Sequence, residues 1–327
     1  MIPNKQAYIG SSKMSDQELA IKIRGLKKTY QGEGASQPKV ALKGVDLSIP
    51  KGSIFGLLGP NGAGKSTTIN IIAGVVDKTE GSVEVWGFDT IKDTRNAKAN
   101  IGIVPQEVHI DAYFTPFEIL ELYAGYYGIP KAERRSDEIL KAMRLEDQRD
   151  AYTRLLSGGM KRRLLLGKAM VHNPPILVLD EPTAGVDVEL RQHIWQYVRE
   201  LNKKGVTIVL TTHYLEEAEE LCDEIAIINN GELVICEKTS TLLKRLDEKM
   251  VIIHPASFIK SLPQSISDIG GKLNEDGEIV IHFSPSTITV GEILKKIAAT
   301  EIEISDLRTE ESDLEDIFLQ LTKSRKE

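Results

Sequence analysis

The run Gly59-Pro60-Asn61-Gly62-Ala63-Gly64-Lys65-Ser66-Thr67 puts glycines, an amine and two hydroxyls into one short stretch. It fits G-x-x-x-x-G-K-[ST]. Glycines let the backbone curl so that successive N–H groups face one anion. A helix starting here presents its N-terminus to the same phosphates. Lys65 has the reach for the β- and γ-phosphates of a nucleotide, and Ser66 the oxygen for Mg²⁺. The plain alternative is an accidental glycine-rich turn. Context argues against it: Ile54-Phe55-Gly56-Leu57-Leu58 reads as a buried strand, and Ile69-Asn70-Ile71-Ile72-Ala73 continues a helix.

Two carboxylates, Asp180 and Glu181, end the apolar run Ile176-Leu177-Val178-Leu179. Ligands bind outside the carboxyl ends of strands in open parallel sheets. Asp180 suits Mg²⁺ coordination, directly or through water, and Glu181 suits orienting and deprotonating an attacking water. Alone, such a pair as often caps a helix or faces solvent. A second phosphate-type signal is Leu156-Ser157-Gly158-Gly159-Met160, a serine and two glycines ahead of a helix over Lys161 to Val171. An isolated Ser-Gly-Gly string is usually an ordinary capped helix. Next to a phosphate loop it is a second anion-binding helix N-terminus. One ATP needs only one, so the second is expected to meet the ATP of another copy, and symmetric pairing gives two composite sites.

Several elements must position these groups. Ala20 to Leu26 alternates as a strand, and Val40 to Ile49, Ser53 to Leu58, Gly81 to Gly87 and Ile101 to Pro105 read as further strands. From about 107 to 173 the pattern is helical. Thr115-Pro116-Phe117-Glu118 carries a capping box with proline at the first helical position. Ile176 to Leu179 and Thr207 to Thr211 are short, wholly apolar-type runs, as parallel strands covered on both faces require. A helix from about Val188 to Asn202 completes a βαβ unit. Asn229-Asn230-Gly231 marks a hairpin between Ile225 to Ile228 and Glu232 to Ile235. Beyond Leu246, Met250 to Ile253, Glu278 to Phe283 and Ile302 to Ile304 read as strands. Val290 to Ala299 and Leu314 to Leu321 read as helices, the last with a capping box at Ser312 to Glu315.

Bulk properties narrow the function classes. A chain of 327 residues carries two domains, or one large and one small. The net charge of −7, from 41 basic and 48 acidic residues, argues against a nucleic-acid binder, which carries a basic excess. Two cysteines, Cys222 and Cys236, imply no disulfide framework and a reducing cytoplasm. No apolar run approaches the ~20 residues that span a bilayer. Met1 to Asp16 lacks an apolar segment, so it is not a secretory signal.

In order and spacing these motifs resemble the ATPase subunits of ATP-binding cassette (ABC) transporters, over roughly residues 20 to 240. Gly59 to Ser66 matches the Walker A loop, Leu156 to Met160 the LSGGQ signature, Ile176 to Asp180 Walker B, and Ala184 to Asp187 the D-loop. The resemblance implies an α/β P-loop NTPase fold: a RecA-like core, an antiparallel β subdomain and a helical subdomain at about 107–173. A small C-terminal α+β domain would follow. The implied boundaries are a flexible leader at 1–17, the ATPase domain at 18–245 and the accessory domain at 246–327.

The resemblance also implies roles. Glu181 is the catalytic glutamate, assisted by His213 as the γ-phosphate switch, Gln106 as the Q-loop glutamine and Lys65. ATP contacts come from Tyr30, stacked on adenine, and from Gly59, Pro60, Asn61, Gly62, Ala63, Gly64, Lys65, Ser66 and Thr67. Ser157, Gly158 and Gly159 reach across from a second copy. Mg²⁺ is held by Ser66, Gln106 and Asp180, and Asp187 links the two copies. Tyr30 otherwise covers a sheet edge, His213 alone would be a satisfied surface histidine, and Lys161-Arg162-Arg163 a solvated helix start or support for the phosphate site. Met160 stands where the family has Gln, which affects only contacts of that side-chain amide. The ending Leu314 to Thr322 and the runs around the signature, Glu181 and His213 resemble ABC-2-type drug and polymer exporters, including bacterial YadG-type members.

The expected partners are therefore a separate integral-membrane permease and a second copy, with no nucleic acid, and the expected place is the inner face of the cell membrane. An importer ATPase is one alternative. A soluble ABC ATPase is another, though ribosome-acting members carry two cassettes and DNA-repair members a long coiled coil. A small-molecule P-loop kinase would leave Ser157-Gly158-Gly159 and Gln106 unexplained.

Overall fold

The computed structural model describes residues 18–31, 37–183, 186–212, 214–245, 249–257, 259, 262–274, 276–283, 287–300 and 302–311. The predicted leader, Ala184, Gly185, His213 and the final predicted helix lie outside the described residues. The chain divides into two compact units, Met1–Glu237 and Lys238–Glu327.

In the first unit, β1 (Leu19–Tyr30), β2 (Lys39–Pro50), β4 (Glu80–Val85) and β5 (Phe88–Asp89) form an antiparallel sheet in the order β2-β1-β4-β5. A second sheet runs β10-β9-β3-β8-β7-β6, from β3 (Ile54–Leu58), β6 (Ile101–Val104), β7 (Ile176–Asp180), β8 (Thr207–Thr212), β9 (Glu224–Asn229) and β10 (Glu232–Lys238). Every residue of β3, β7 and β8 is buried, so these strands carry continuous apolar runs instead of alternation. The β9–β10 hairpin turns through Asn230 at φ 49° and Gly231 at φ 78°, as the Asn-Gly pair predicts.

Register decides the function of this sheet. Leu58 pairs in parallel with Thr212, Asp180 with Thr211, and Leu179 with Val104. The carboxyl ends of β3, β6, β7 and β8 therefore finish level, and the phosphate loop, Gln106 and Glu181 follow β3, β6 and β7. Apolar groups from both sheets share one core, including Ile21, Val45, Val83, Phe55, Ile69 and Val178.

The helices of this unit are α1 (Lys65–Ile72), α2 (Thr94–Ala99), α3 (Pro116–Tyr126), α4 (Ser136–Ala142), α5 (Gly158–Ala169), α6 (Val188–Lys203) and α7 (Leu215–Leu221). The predicted capping box forms: the Glu118 N–H donates to the Thr115 hydroxyl, and the Thr115 N–H to the Glu118 carboxylate. A Cβ at Gly167 would lie 2.8 Å from Ile139 Cγ2, so its absence lets α5 lie close to α4.

The second unit holds α8 (Thr239–Arg245), β11 (Lys249–Pro255), α9 (Gln264–Ser267), β12 (Gly271–Leu273), β13 (Ile279–Phe283), α10 (Val290–Ala298) and β14 (Ile304–Glu311). Its strands make an antiparallel sheet in the order β12-β13-β11-β14, with a core of Val251, Ile253, Ile279, Ile281, Ile293 and Ile297. The strand expected at Ile302 to Ile304 instead runs Ile304–Glu311. This edge strand is largely polar and exposed, so it carries no apolar period to read.

Candidate functional site

The phosphate loop spans β3 and α1. A Cβ at Gly59 would stand 2.2 Å from the Ile228 carbonyl oxygen, a clash no other residue type escapes. Gly64 ends the loop at φ 111° as the N-cap of α1, where a Cβ would meet Leu42 and the Ala41 carbonyl. The hairpin turn braces the loop from behind: the Gly231 N–H donates 2.9 Å to the Ala63 carbonyl. Pro60, Asn61, Gly62 and Ser66 are exposed along the rim, whereas Ala63, Gly64 and Lys65 are buried.

Lys65 folds back over the loop. Its Nζ donates 2.7 Å to the Gly59 carbonyl and 3.3 Å to that of Pro60. Burial pushes its pKa below the ordinary lysine range, and the charges of Glu181 and Asp180 pull it back up. Both carboxylates therefore act on the phosphate-loop amine.

Thr211 holds the Asp180 carboxylate and the Glu181 backbone. Its hydroxyl donates to Asp180 Oδ1, and the Glu181 N–H donates to the Thr211 carbonyl at 3.2 Å and hydroxyl at 3.0 Å. Glu181 adopts φ +44°, a left-handed conformation costing about 1–3 kcal/mol for a residue with a side chain. Gln106, just beyond β6, donates from Nε2 to Glu181 Oε2 at 2.8 Å. Residues predicted from separate motifs thus meet around one carboxylate.

In the basic run at the start of α5, Arg162 and Arg163 turn onto backbone carbonyls of neighbouring elements instead of forming a solvated face. Arg162 is buried and donates from Nη1 to the Gln106 carbonyl at 2.7 Å and the Pro105 carbonyl at 3.3 Å. Arg163 donates from Nη1 to the carbonyls of Met143 and Arg144 at 2.8 and 3.0 Å. Carbonyls just beyond β6 take the Arg162 donor, which suits its burial. Arg163 is half-buried, and only its Nη1 is matched in this way, its Nε having no hydrogen-bond partner. Sequence reasoning also missed Thr211, although polar residues closing an apolar strand at a carboxyl edge signal a ligand side.

Ser157 is exposed and caps α5, accepting from the Met160 N–H at 3.2 Å. Capping uses a lone pair, so the hydroxyl proton remains a donor. The bond comes from the Met160 backbone and is indifferent to Met or Gln. Asp187 caps α6 by accepting from the Leu190 N–H at 2.8 Å. Tyr30 ends β1 at 38% exposure, its hydroxyl 3.5 Å from Thr67 Oγ1 and the Lys28 Nζ 4.8 Å from its ring centroid. The aromatic ring thus stands beside the phosphate-loop helix.

Among the described residues no three His, Cys, Asp or Glu side chains cluster as a metal cage. Mg²⁺ needs none, since it keeps waters and phosphate oxygens and takes one or two protein oxygens. Ser66, Gln106 and Asp180 offer oxygen donors of that kind beside the loop.

A phosphate loop at a helix N-terminus, with an Asp-Glu pair closing a nearby parallel strand, defines a P-loop nucleoside triphosphatase. A family model described as ABC transporter matches residues 42–184. The linearmycin resistance ATP-binding protein LnrL of Bacillus subtilis is 36% identical over 310 residues, covering 92% of this chain and 98% of that protein. The Nod factor export ATP-binding protein I of Ralstonia nicotianae is 34% identical over 306 residues, covering 92% and 93%. A solved dimeric ATP-binding cassette in a post-hydrolysis state, bound to ADP and Pi, superimposes at TM-score 0.61 and 30% identity, covering 67% of this chain and 98% of its own. The chain belongs to the ABC transporter family, as an ATP-binding subunit that uses ATP with Mg²⁺ and hydrolyses it.

Proposed function

We propose that this chain powers export: two copies close around two ATP–Mg²⁺ and drive a separate membrane permease from the inner face of the cell membrane. The observation that carries the hydrolytic part is the 2.8 Å bond from Gln106 to Glu181 beside Lys65. Glu181 takes the proton of the attacking water, and Gln106 aims that carboxylate and the water. Lys65 and the loop amides of Gly59 to Thr67 neutralise the phosphates, with His213 at the γ-phosphate. Ser66, Asp180 and Gln106 hold Mg²⁺, which supplies charge neutralisation of the transferring group. Tyr30 stacks on adenine.

Ser157, Gly158 and Gly159 act on the ATP of the other copy. Support comes from the exposure of Ser157 and Gly158 and the remaining donor of the Ser157 hydroxyl. Asp187, beside this interface, relays occupancy between copies. The ATPase domain, expected over 18–245, falls in the first compact unit up to Glu237, and the accessory domain, expected over 246–327, in the second, which also takes in α8.

The permease is a separate chain. No helix among the described residues is long and apolar enough to cross a membrane. Tyr113 at 74%, Tyr152 at 47% and Leu155 at 72% exposure lie on segments joined by backbone bonds from Thr153 to Phe114 and from Arg154 to Ala112. The Arg154 guanidinium lies over both tyrosine rings, at 5.8 and 5.1 Å, and this exposed aromatic and cationic surface suits a protein partner. Export is favoured by the relatives named for linearmycin resistance and Nod factor export. The test is affinity purification of the full chain from membranes with identification of the copurifying permease. Recovery with ribosomes in place of a membrane protein would refute the transport reading.

A further inference from the structure

Glu217 is a buried carboxylate with 4% exposure, lying on α7 and given no role above. Both its oxygens accept from hydroxyls that belong to other elements. Oε1 takes the Thr183 hydroxyl, and Oε2 takes the Thr212 hydroxyl at 2.8 Å. Thr183 follows Glu181 and Pro182 on the chain leaving β7, and Thr212 closes β8 directly after Thr211. The Thr212 oxygen also accepts the Tyr214 N–H at 2.9 Å. Arg191, on the first turns of α6 behind Asp187, places its Nε 3.7 Å from Oε1.

We propose that Glu217 is a positioning residue for hydrolysis: by tying the chain leaving β7 to the end of β8, it holds Glu181 in its left-handed conformation. This rests on the role given above to Glu181. A strained residue keeps its conformation only while its surroundings over-determine it. On the upstream side Thr211 fixes the Glu181 N–H. On the downstream side the restraint is the Thr183 hydroxyl, and Glu217 is what receives it. Both restraints refer to β8, so Glu181, Asp180 and the end of β8 form one braced unit.

Stability alone does not call for this arrangement. A buried carboxylate costs desolvation, and apolar side chains at positions 217, 183 and 212 would fill similar space without it. Hydroxyl-to-carboxylate bonds add direction, which apolar packing lacks.

The experiment measures ATP turnover and nucleotide affinity of the full chain for the wild type, Glu217→Leu, Glu217→Gln, Thr183→Val and Glu181→Gln. Removing both bonds in Glu217→Leu is expected to lower kcat about 100-fold, the scale of a small misplacement of a reacting group. The nucleotide dissociation constant is expected to stay within about threefold, because the phosphate loop is untouched. Glu217→Gln is expected to restore most of kcat, since each threonine hydroxyl can either donate or accept. Thr183→Val, which keeps the carboxylate, is expected to lower kcat in the same direction. Its effect should vanish in the Glu217→Leu background, as one shared bond requires.

Wild-type turnover in Glu217→Leu, with Glu181→Gln inactive, overturns this inference and leaves the ATPase reading standing. So does a parallel loss of affinity, turnover and melting temperature that Glu217→Gln shares, since that marks a purely structural residue. If Glu217→Leu does not fold, Thr183→Val and Thr212→Val carry the same test through single hydroxyl deletions. Normal turnover in Glu181→Gln removes the role of Glu181 and this inference with it.

Discussion

Replacing Glu181 with glutamine removes a base while keeping nearly everything that places it. The backbone is unaltered, so the N–H still donates to the Thr211 carbonyl and hydroxyl. Gln106 Nε2 still finds an amide oxygen where it met Oε2 at 2.8 Å. At 9% exposure the carboxylate bears a desolvation cost that the amide avoids, but the amide also loses its attraction for Lys65. These oppose each other, so folding stability is expected to change by no more than about 1 kcal/mol. Turnover is different. Losing a positioned general base costs roughly 10²–10⁴-fold, or about 2.7–5.4 kcal/mol of barrier. Phosphate release at saturating ATP–Mg²⁺ measures the first, and nucleotide titration checks that affinity is equal or tighter. Because ATP is bound but not consumed, light scattering should find a persistent dimer with ATP and none with ADP. Turnover within about threefold of wild type, with intact nucleotide binding, would refute the assignment of Glu181 and the reasoning from the Gln106 bond.

Four further outcomes are expected. Arg162→Met strips the Gln106 and Pro105 carbonyls of a charged donor and should cost about 1.5–3 kcal/mol, read from denaturant midpoints. Gly102→Ala would drive a Cβ to 2.2 Å from the Ala169 carbonyl oxygen and should cost at least about 1–3 kcal/mol. Gly159→Ala meets only the end of Leu190, at 2.8 Å, and should leave the melting temperature nearly unchanged while weakening ATP-dependent dimerisation. Burial holds the His172 imidazole, stacked 3.6 Å from Tyr127, down at a pKa of about 4 against 6.5. The unfolded chain therefore binds the extra proton first, so stability is full above pH 6.5 and falls as pH drops toward 4. After discounting partial exposure the loss is about 2 kcal/mol, and melts at neutral and mildly acidic pH should lose this dependence in His172→Gln.

What the sequence made legible follows from distance along the chain. The phosphate loop, the capping box at Thr115 and the Asn230-Gly231 turn are local, each decided by residues within one turn of one another. The buried strands β3 and β7 declared themselves as continuous apolar runs because both their faces are covered. The Gln106–Glu181 bond joins residues 75 positions apart, and family resemblance located both partners without giving the bond. Arg162 looked solvated because a basic run at a helix start usually is; its acceptors lie 56 and 57 residues away. Glu217 stands in the acidic run Glu216-Glu217-Ala218-Glu219-Glu220, which reads as a wet helix face. Only packing of α7 under two strand ends singles out one of these carboxylates. The edge strand β14 failed for another reason: an exposed polar strand has no period to detect.

These long-range bonds share a direction. Arg162 on α5 holds the carbonyl of Gln106, Gln106 holds the carboxylate of Glu181, and Thr211 holds the backbone of Glu181 and the side chain of Asp180. The helix that opens with Ser157 is therefore connected, through Arg162 and Gln106, to the Glu181 carboxylate. Ser157 itself is exposed, while Glu181 and Lys65 are buried. A phosphate arriving at Ser157 from a second copy would load α5 at its N-terminus, and Arg162 lies little more than one turn further along. In the proposed dimer the same helix would complete a neighbour's site while Arg162 steadies its own. Severing it at Arg162 should disturb hydrolysis in the mutated copy while leaving its Ser157 able to close the site of a wild-type partner. Mixed dimers carrying Arg162→Met in one copy would separate these two effects: equal loss at both sites would mean that α5 acts only as a scaffold.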